Sequence, residues 1–207
     1  MAVSRREVLG GACLALPLSH CATFVTPSGD NEIDVSARAG AADGSLRFGA
    51  LEFPCMLGRS GIVAQKHEGD GGTPAGVFPL REVRYRPDRL AAPATKGLPV
   101  IPTREADGWC DDPKDRSYNR LVRLPYPASA EKMWRDDRVY DLLAVIGYND
   151  APPVEGLGSA IFLHVARQAN APGQFAPTVG CVSLKLEDLR SVLAVCSATT
   201  TIRIRAL

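Results

Sequence analysis

Proline and glycine punctuate this chain heavily: 16 Pro and 19 Gly fall among 207 residues. Proline lacks a backbone donor and clashes inside a helix, and both residue types favour turns. The expectation is a mainly β domain with a few short helices and long loops. The length, with 45% hydrophobic and 23% charged residues, suits one globular domain with short appendages. The same composition excludes collagen-like and low-complexity chains.

Short apolar segments supply the strands. Leu51 to Leu57, Val77 to Tyr85, Leu121 to Leu124 and Asp141 to Gly147 read as strands. Ala160 to Ala166 is almost continuously apolar, as in a strand covered on both faces. Thr201 to Arg205 alternates strictly, as a half-exposed strand does. Two short helices are expected. One starts at a Ser cap and covers Ser129 to Asp136. The other covers Glu187 to Val195, where Leu186, Leu189, Leu193 and Cys196 recur at helical spacing.

The first 22 residues read as an export signal. Arg5 and Arg6 stand just before an apolar stretch, Val8 to Leu18. The run Ser4-Arg5-Arg6-Glu7-Val8-Leu9 resembles a twin-arginine signal, whose passengers cross the membrane folded. The expected location is the periplasm or cell envelope. Cys21 is a minor candidate for lipid attachment. Residues 23–48 read as a linker and a first strand around Glu32 to Val35, and residues 49–207 as the main domain. No apolar run reaches the ~20 residues of a membrane-spanning helix.

Charge narrows the partners. The chain has 24 Lys+Arg and 23 Asp+Glu, a formal net charge of +1. The export segment carries that +1 (Arg5, Arg6, Glu7), so the body is neutral. A neutral body gives no electrostatic basis for nucleic-acid binding. The six cysteines show no CxxC spacing and no Cys/His ligand pattern, so no metal site and no cofactor is expected. In an oxidising compartment Cys55 and Cys110 are candidates for one bridge, while Cys196 is unassigned.

Two residues carry candidate chemistry. His164 sits in the apolar run Ile161-Phe162-Leu163-His164-Val165, where a lone His is commonly a core residue. Cys181 follows Gly180 in Pro177-Thr178-Val179-Gly180-Cys181-Val182-Ser183-Leu184. A glycine before a nucleophile lets the chain bend sharply and brings backbone N–H groups near an attacked carbonyl. A free thiol has a pKa of ~8.5, and a neighbouring His draws it towards thiolate–imidazolium. On that basis Cys181 is expected to react with iodoacetamide well below pH 8, aided by the N-terminus of the following helix.

His164, the interval that follows and Thr178-x-Gly180-Cys181 together resemble the L,D-transpeptidase (YkuD-like) catalytic domain. The block Thr73-Pro74-Ala75-Gly76-Val77-Phe78 is similar to that family's Thr-Pro-x-Gly-x-Phe segment. The resemblance runs from about Leu51 to Leu207. Val165, Val179 and Ser183 depart from it: many members have Gly, His and Arg or Asn at these places. The resemblance implies a YkuD-like mixed β-sandwich and a cysteine enzyme acting on peptidoglycan stem peptides through a thioester. Cys181 would be the nucleophile and His164 its base, oriented by a main-chain carbonyl near Val165. Backbone N–H groups of Gly180 and Cys181 would hold the oxyanion.

Thr178, Arg59 and Arg86 are candidate substrate contacts, with Lys66 and Arg89 as further candidates for stem-peptide carboxylates. For each, a surface or structural role is an equal alternative. Trp109 is expected to pack in the core and His67 to sit at the surface. The alternatives to a transpeptidase are an L,D-carboxypeptidase or amidase-type hydrolase on the same scaffold, and a non-catalytic cell-wall binding module.

Overall fold

The structure is a computed structural model, which describes Met1, residues 31–171 and residues 173–207. The expected export segment beyond Met1, including Cys13 and Cys21, lies outside the described residues. In chain order the strands are β1 (Glu32–Ala37), β2 (Asp43–Phe48), β3 (Leu51–Met56), β4 (Ile62–Val63) and β5 (Thr73–Pro74). There follow β6 (Gly76–Tyr85), β7 (Val100–Pro102), β8 (Asp107–Cys110), β9 (Leu121–Arg123) and β10 (Ala130–Lys132). The last are β11 (Leu142–Ile146), β12 (Phe162–Val165), β13 (Val182–Leu184) and β14 (Thr201–Ala206). Helix α1 (Leu186–Leu193) is the one helix among the described residues.

Nine strands pair in the order β11-β12-β13-β3-β2-β1-β14-β6-β7. The sheet closes on itself because β6 is long enough to serve two neighbours. Its residues 76–79 pair with β14 and residues 80–85 pair with β11. The pairings are mixed: β1–β14, β12–β13 and β6–β7 are parallel, and the others antiparallel. The expected mainly β, mixed architecture is therefore what the chain adopts.

Strands β11, β12 and β13 are buried along their whole length, save Val165, because they divide two cores. Leu142, Ala144, Ile146, Leu163, Val182 and Leu184 face the larger core, which Leu189, Val192 and Leu193 of α1 close. Leu143, Val145, Phe162 and Cys181 face a smaller one with Trp109, Met133 and Tyr140. That second face is roofed in part by a three-stranded sheet, β10-β8-β9. Trp109 belongs to this core, 8% exposed, with its ring edge-on to Phe162.

Three expectations are corrected. Residues 43–48, expected as linker, form β2 and pair with both β1 and β3. Its sparse apolar pattern, Leu46 and Phe48 alone, is enough because both are buried on the same face. Leu46→Ala is expected to cost about 2–5 kcal/mol in urea unfolding, since Leu46 is 0% exposed. A linker position would cost under about 0.5 kcal/mol.

The segment 129–136 is no helix. Ala130, Glu131 and Lys132 pair with Cys110, Trp109 and Gly108, and this ladder overrides the local Ser cap. The cysteine bridge is absent too. Cys55 and Cys110 are both free and buried, Cys55 in the large core and Cys110 in the small sheet. Cys196 is likewise free, its thiol donating to the Val192 carbonyl at 3.3 Å.

Candidate active site

His164 and Cys181 fall on one face because β12 and β13 run parallel with His164 opposite Ser183, and no hydrogen bond joins the two side chains. Side chains alternate along a strand, so Phe162 and His164 share a face with Cys181 and Ser183. His164, Cys181 and Ser183 line one cavity of 320 Å³. The connection between the strands contains no helix among its described residues. It folds back on itself, with Gln168 bridged to Phe175 and the Ala176 amide donating to the Arg167 carbonyl at 2.9 Å.

The turn bearing Cys181 is fastened on three sides. The Thr178 amide donates to the Leu57 carbonyl at 2.8 Å and the Arg59 amide to the Thr178 carbonyl at 3.0 Å. The hydroxyls of Thr178 and Thr73 donate to the Cys181 carbonyl at 2.7 and 3.4 Å. Gly180 has φ +152°, and a side chain there would press on the Gly72 carbonyl oxygen. Gly58 is required by close approach, since a Cβ would lie 2.3 Å from the Gly71 carbonyl oxygen. The glycine-rich loop before β5 is thus packed directly against the nucleophile turn.

The His164 ring is fixed by its Nδ1, 2.9 Å from the Val165 carbonyl oxygen. A carbonyl only accepts, so Nδ1 carries the proton and Nε2 keeps its lone pair. The Tyr140 ring packs edge-on against the imidazole, centroids 5.5 Å apart. The Cys181 thiol donates to the Ala160 carbonyl at 3.2 Å and accepts from the Phe162 amide at 3.3 Å. Ala160 holds a φ of +51°, and its amide is pinned by Asn119 Oδ1 at 3.0 Å.

Burial sets the resting protonation. His164 and Cys181 are 5% and 8% exposed. Desolvation lowers the His164 pKa to about 4, against a smaller upward pull from its Val165 hydrogen bond. Desolvation pushes the Cys181 thiol up to about 12, with the Phe162 amide acting the other way. Both shifts favour the uncharged forms, thiol and imidazole. Burial thus works against the ready alkylation expected well below pH 8. The helix expected to favour a thiolate begins only at Leu186, five residues beyond the thiol.

The candidate substrate contacts separate. Arg59 is exposed and does not line the cavity. Arg86 is 3% exposed, paired with Asp88 at 2.8 Å and stacked 3.7 Å over the Trp134 ring, so it is structural. Arg89 is taken by Asp141 at 2.7 Å, also away from the cavity. Thr178 lines the cavity, but its hydroxyl is occupied in donating to the Cys181 carbonyl and accepting from the Gly180 amide at 3.1 Å. The latter bond also removes Gly180 as a free oxyanion donor. The Cys181 amide has no acceptor among the described residues. Lys66 lines the cavity, 7% exposed, with Nζ 2.5 Å from Asp70 Oδ1. His67 is exposed.

Other wall residues were not visible as such in the sequence: Glu131, Arg135, Asp137, Tyr140 and Arg167. Arg135 bridges Asp137 at 2.6 Å and Glu131 at 3.2 Å. Burial raises the Glu131 pKa, opposed by the Tyr140 hydroxyl and by Arg135. Arg167, at the rim, is exposed and has no ion-pair partner among the described residues. The one sequence signal for this wall is charge density, six charged residues among 131–138. Among the described residues no group of three or more His, Cys, Asp or Glu is placed to hold a metal ion.

No curated protein gives a significant match. Among solved structures the chain is similar to the Bdellovibrio bacteriovorus protein Bd1075, at 14% identity and a TM-score of 0.38. That match covers 84% of this chain and 47% of the other, so the chain spans about half the length of that structure. The family described as YkuD, L,D-transpeptidase catalytic domain, matches residues 32–204, and so takes in β1 and β2 as well as the site. With most of its length inside that match, the chain belongs to the YkuD family of L,D-transpeptidase catalytic domains.

Proposed function

We propose that this protein is a cysteine-dependent L,D-transpeptidase of the cell envelope, exported to the periplasm, acting on peptidoglycan stem peptides. The observation that carries the reading is one cavity lined by Cys181 and His164 from adjacent parallel strands. Within it Nε2 is free to accept a proton and the Cys181 amide is free to donate.

Cys181 Sγ attacks the carbonyl of the third stem residue. Its proton, held by the Ala160 carbonyl at rest, passes to His164 Nε2 during attack. A neutral pair suits this order, because charge appears only as the bond forms. The Cys181 amide meets the oxyanion, and one such donor typically contributes ~2.7–4 kcal/mol. The imidazolium then protonates the departing D-amino acid, leaving a thioester. An amine from a neighbouring stem resolves it and forms a cross-link.

Purified sacculi incubated with the enzyme test this reading. New cross-links joining third residues of two stems are expected among the muropeptides. Tetrapeptides shortened to tripeptides without new cross-links would assign hydrolysis instead. Unchanged muropeptides, with protein bound to the sacculi, would assign a binding module.

A further inference from the structure

Ser183 presents an unexplained polar atom. It is 1% exposed, and its Oγ is one of three buried side-chain polar atoms among the described residues with no hydrogen-bond partner. A buried hydroxyl without a partner costs about 1–3 kcal/mol, so such groups call for a reason. Its neighbours supply one. Ser183 lines the cavity, on the same face as Cys181 two residues earlier. It stands directly opposite His164 on β12. Neighbouring strands lie ~4.8 Å apart and same-face residues along one strand ~6.6 Å apart. Ser183 thus forms one corner of a triangle whose other corners are the base and the nucleophile.

We propose that the Ser183 hydroxyl positions the incoming nucleophile in the second half-reaction. The inference rests on the thioester reading above. In that step the amine nitrogen carries at least two hydrogens and a lone pair. One hydrogen is directed to His164 Nε2 and the other to Ser183 Oγ, which aims the lone pair at the thioester carbon. The new C–N bond forms as the C–S bond breaks, and the bonding pair leaves on Cys181 Sγ. The proton taken by Nε2 passes to that sulfur, restoring thiol and neutral imidazole. Water has the same two hydrogens and would be aimed in the same way, yielding a carboxylic acid.

This assigns Ser183 to resolution of the thioester and not to its formation. In acylation the nucleophile is already held, by its chain and by Ala160 and Phe162. In resolution the nucleophile arrives from outside, and the unpartnered hydroxyl beside His164 is the group left to receive its second hydrogen.

Ser183→Ala separates this from a structural role. Wild type and variant are incubated with a disaccharide-tetrapeptide muropeptide, quenched in acid and weighed intact. The variant is expected to form the acyl-enzyme within about 2-fold of the wild-type rate but release it about 10-fold or more slowly, so that the adduct accumulates. Its melting temperature is expected to be equal or higher, because the change deletes an unpartnered buried hydroxyl. Equal release rates, or acylation and release slowed alike with a lower melting temperature, would overturn the assignment and leave the transpeptidase reading standing. A wild type that gives neither adduct nor product would remove both.

Discussion

Cys181→Ala is expected to end turnover, with a loss of about 10⁴-fold or more, while the protein stays folded and still binds sacculi. The loss is chemical: no other described group in the cavity offers a nucleophile held between two backbone groups on the same face as a base. The structural cost is small. The substitution removes one sulfur from a side chain that is 8% exposed and leaves the Phe162 amide without its present acceptor. About 1–3 kcal/mol of stability is at stake, the cost of one unpaired buried donor. Cys181→Ser keeps those contacts but substitutes an alcohol, whose proton the imidazole removes far less readily. It is expected to be nearly as inactive. Rates of muropeptide conversion and unfolding curves for the three proteins check this.

His164→Gln is expected to slow acylation about 10²- to 10⁴-fold, the usual contribution of a positioned base. The pH behaviour carries more information than the rate alone. With a native pKa of about 4, the wild-type imidazole stays an unprotonated base down to mildly acid pH. The acid limb of kcat/KM should therefore fall through about pH 4, not through the 6.5 of a free histidine. The stability consequence has a defined sign. The unfolded chain binds a proton at His164 from about pH 6.5 downward, whereas the native chain does so only near 4. Stability is thus lost as pH falls from 6.5 to 4, by roughly 3 kcal/mol, from this group. The glutamine variant should lack that component, and the difference between the two proteins in urea unfolding at pH 4 and pH 7 isolates it. An activity midpoint near 6.5 together with no stability difference would mean that His164 titrates as an exposed histidine and that burial does not lower its pKa.

Much of the fold could be read from local pattern, and the parts that could not share a cause. Strands β11 and β12 announce themselves as apolar runs because both of their faces are covered. Strand β14 does so by alternation, with Ile202 and Ile204 inward and Arg203 and Arg205 outward. Strand β2 has only Leu46 and Phe48 to bury, and its pairing on both sides with β1 and β3 is decided by its neighbours. Strand β10 is set by β8, against a sequence that caps like a helix. That single reversal hid one wall of the cavity, since Glu131 and Arg135 lie in and just after this segment.

The site shows the same division. The spacing of His164 and Cys181 around a glycine turn marks the pair, and the structure places both on one face. What spacing cannot carry is burial. Arg86 looks like a free cation in the sequence and is locked between Asp88 and Trp134 in the fold. The thiol looks activated beside a histidine, yet desolvation disfavours the charged form of both groups. Asn119, which pins Ala160 and through it the thiol, has no sequence mark at all. Its two side-chain hydrogens go to the carbonyls of Tyr148 and Asn149, far along the chain.

The central claim is that Cys181 is the residue acylated, with His164 as its base. Trapping the acyl-enzyme by acid quench, digesting it and mapping the modified peptide tests that claim directly. The expected result is a single stem-tripeptide adduct on the peptide containing Thr178-Val179-Gly180-Cys181, located at Cys181, absent from Cys181→Ala and formed slowly by His164→Gln. An adduct on Cys55, Cys110, Cys196 or a serine, or turnover by Cys181→Ala at the wild-type rate, would contradict it.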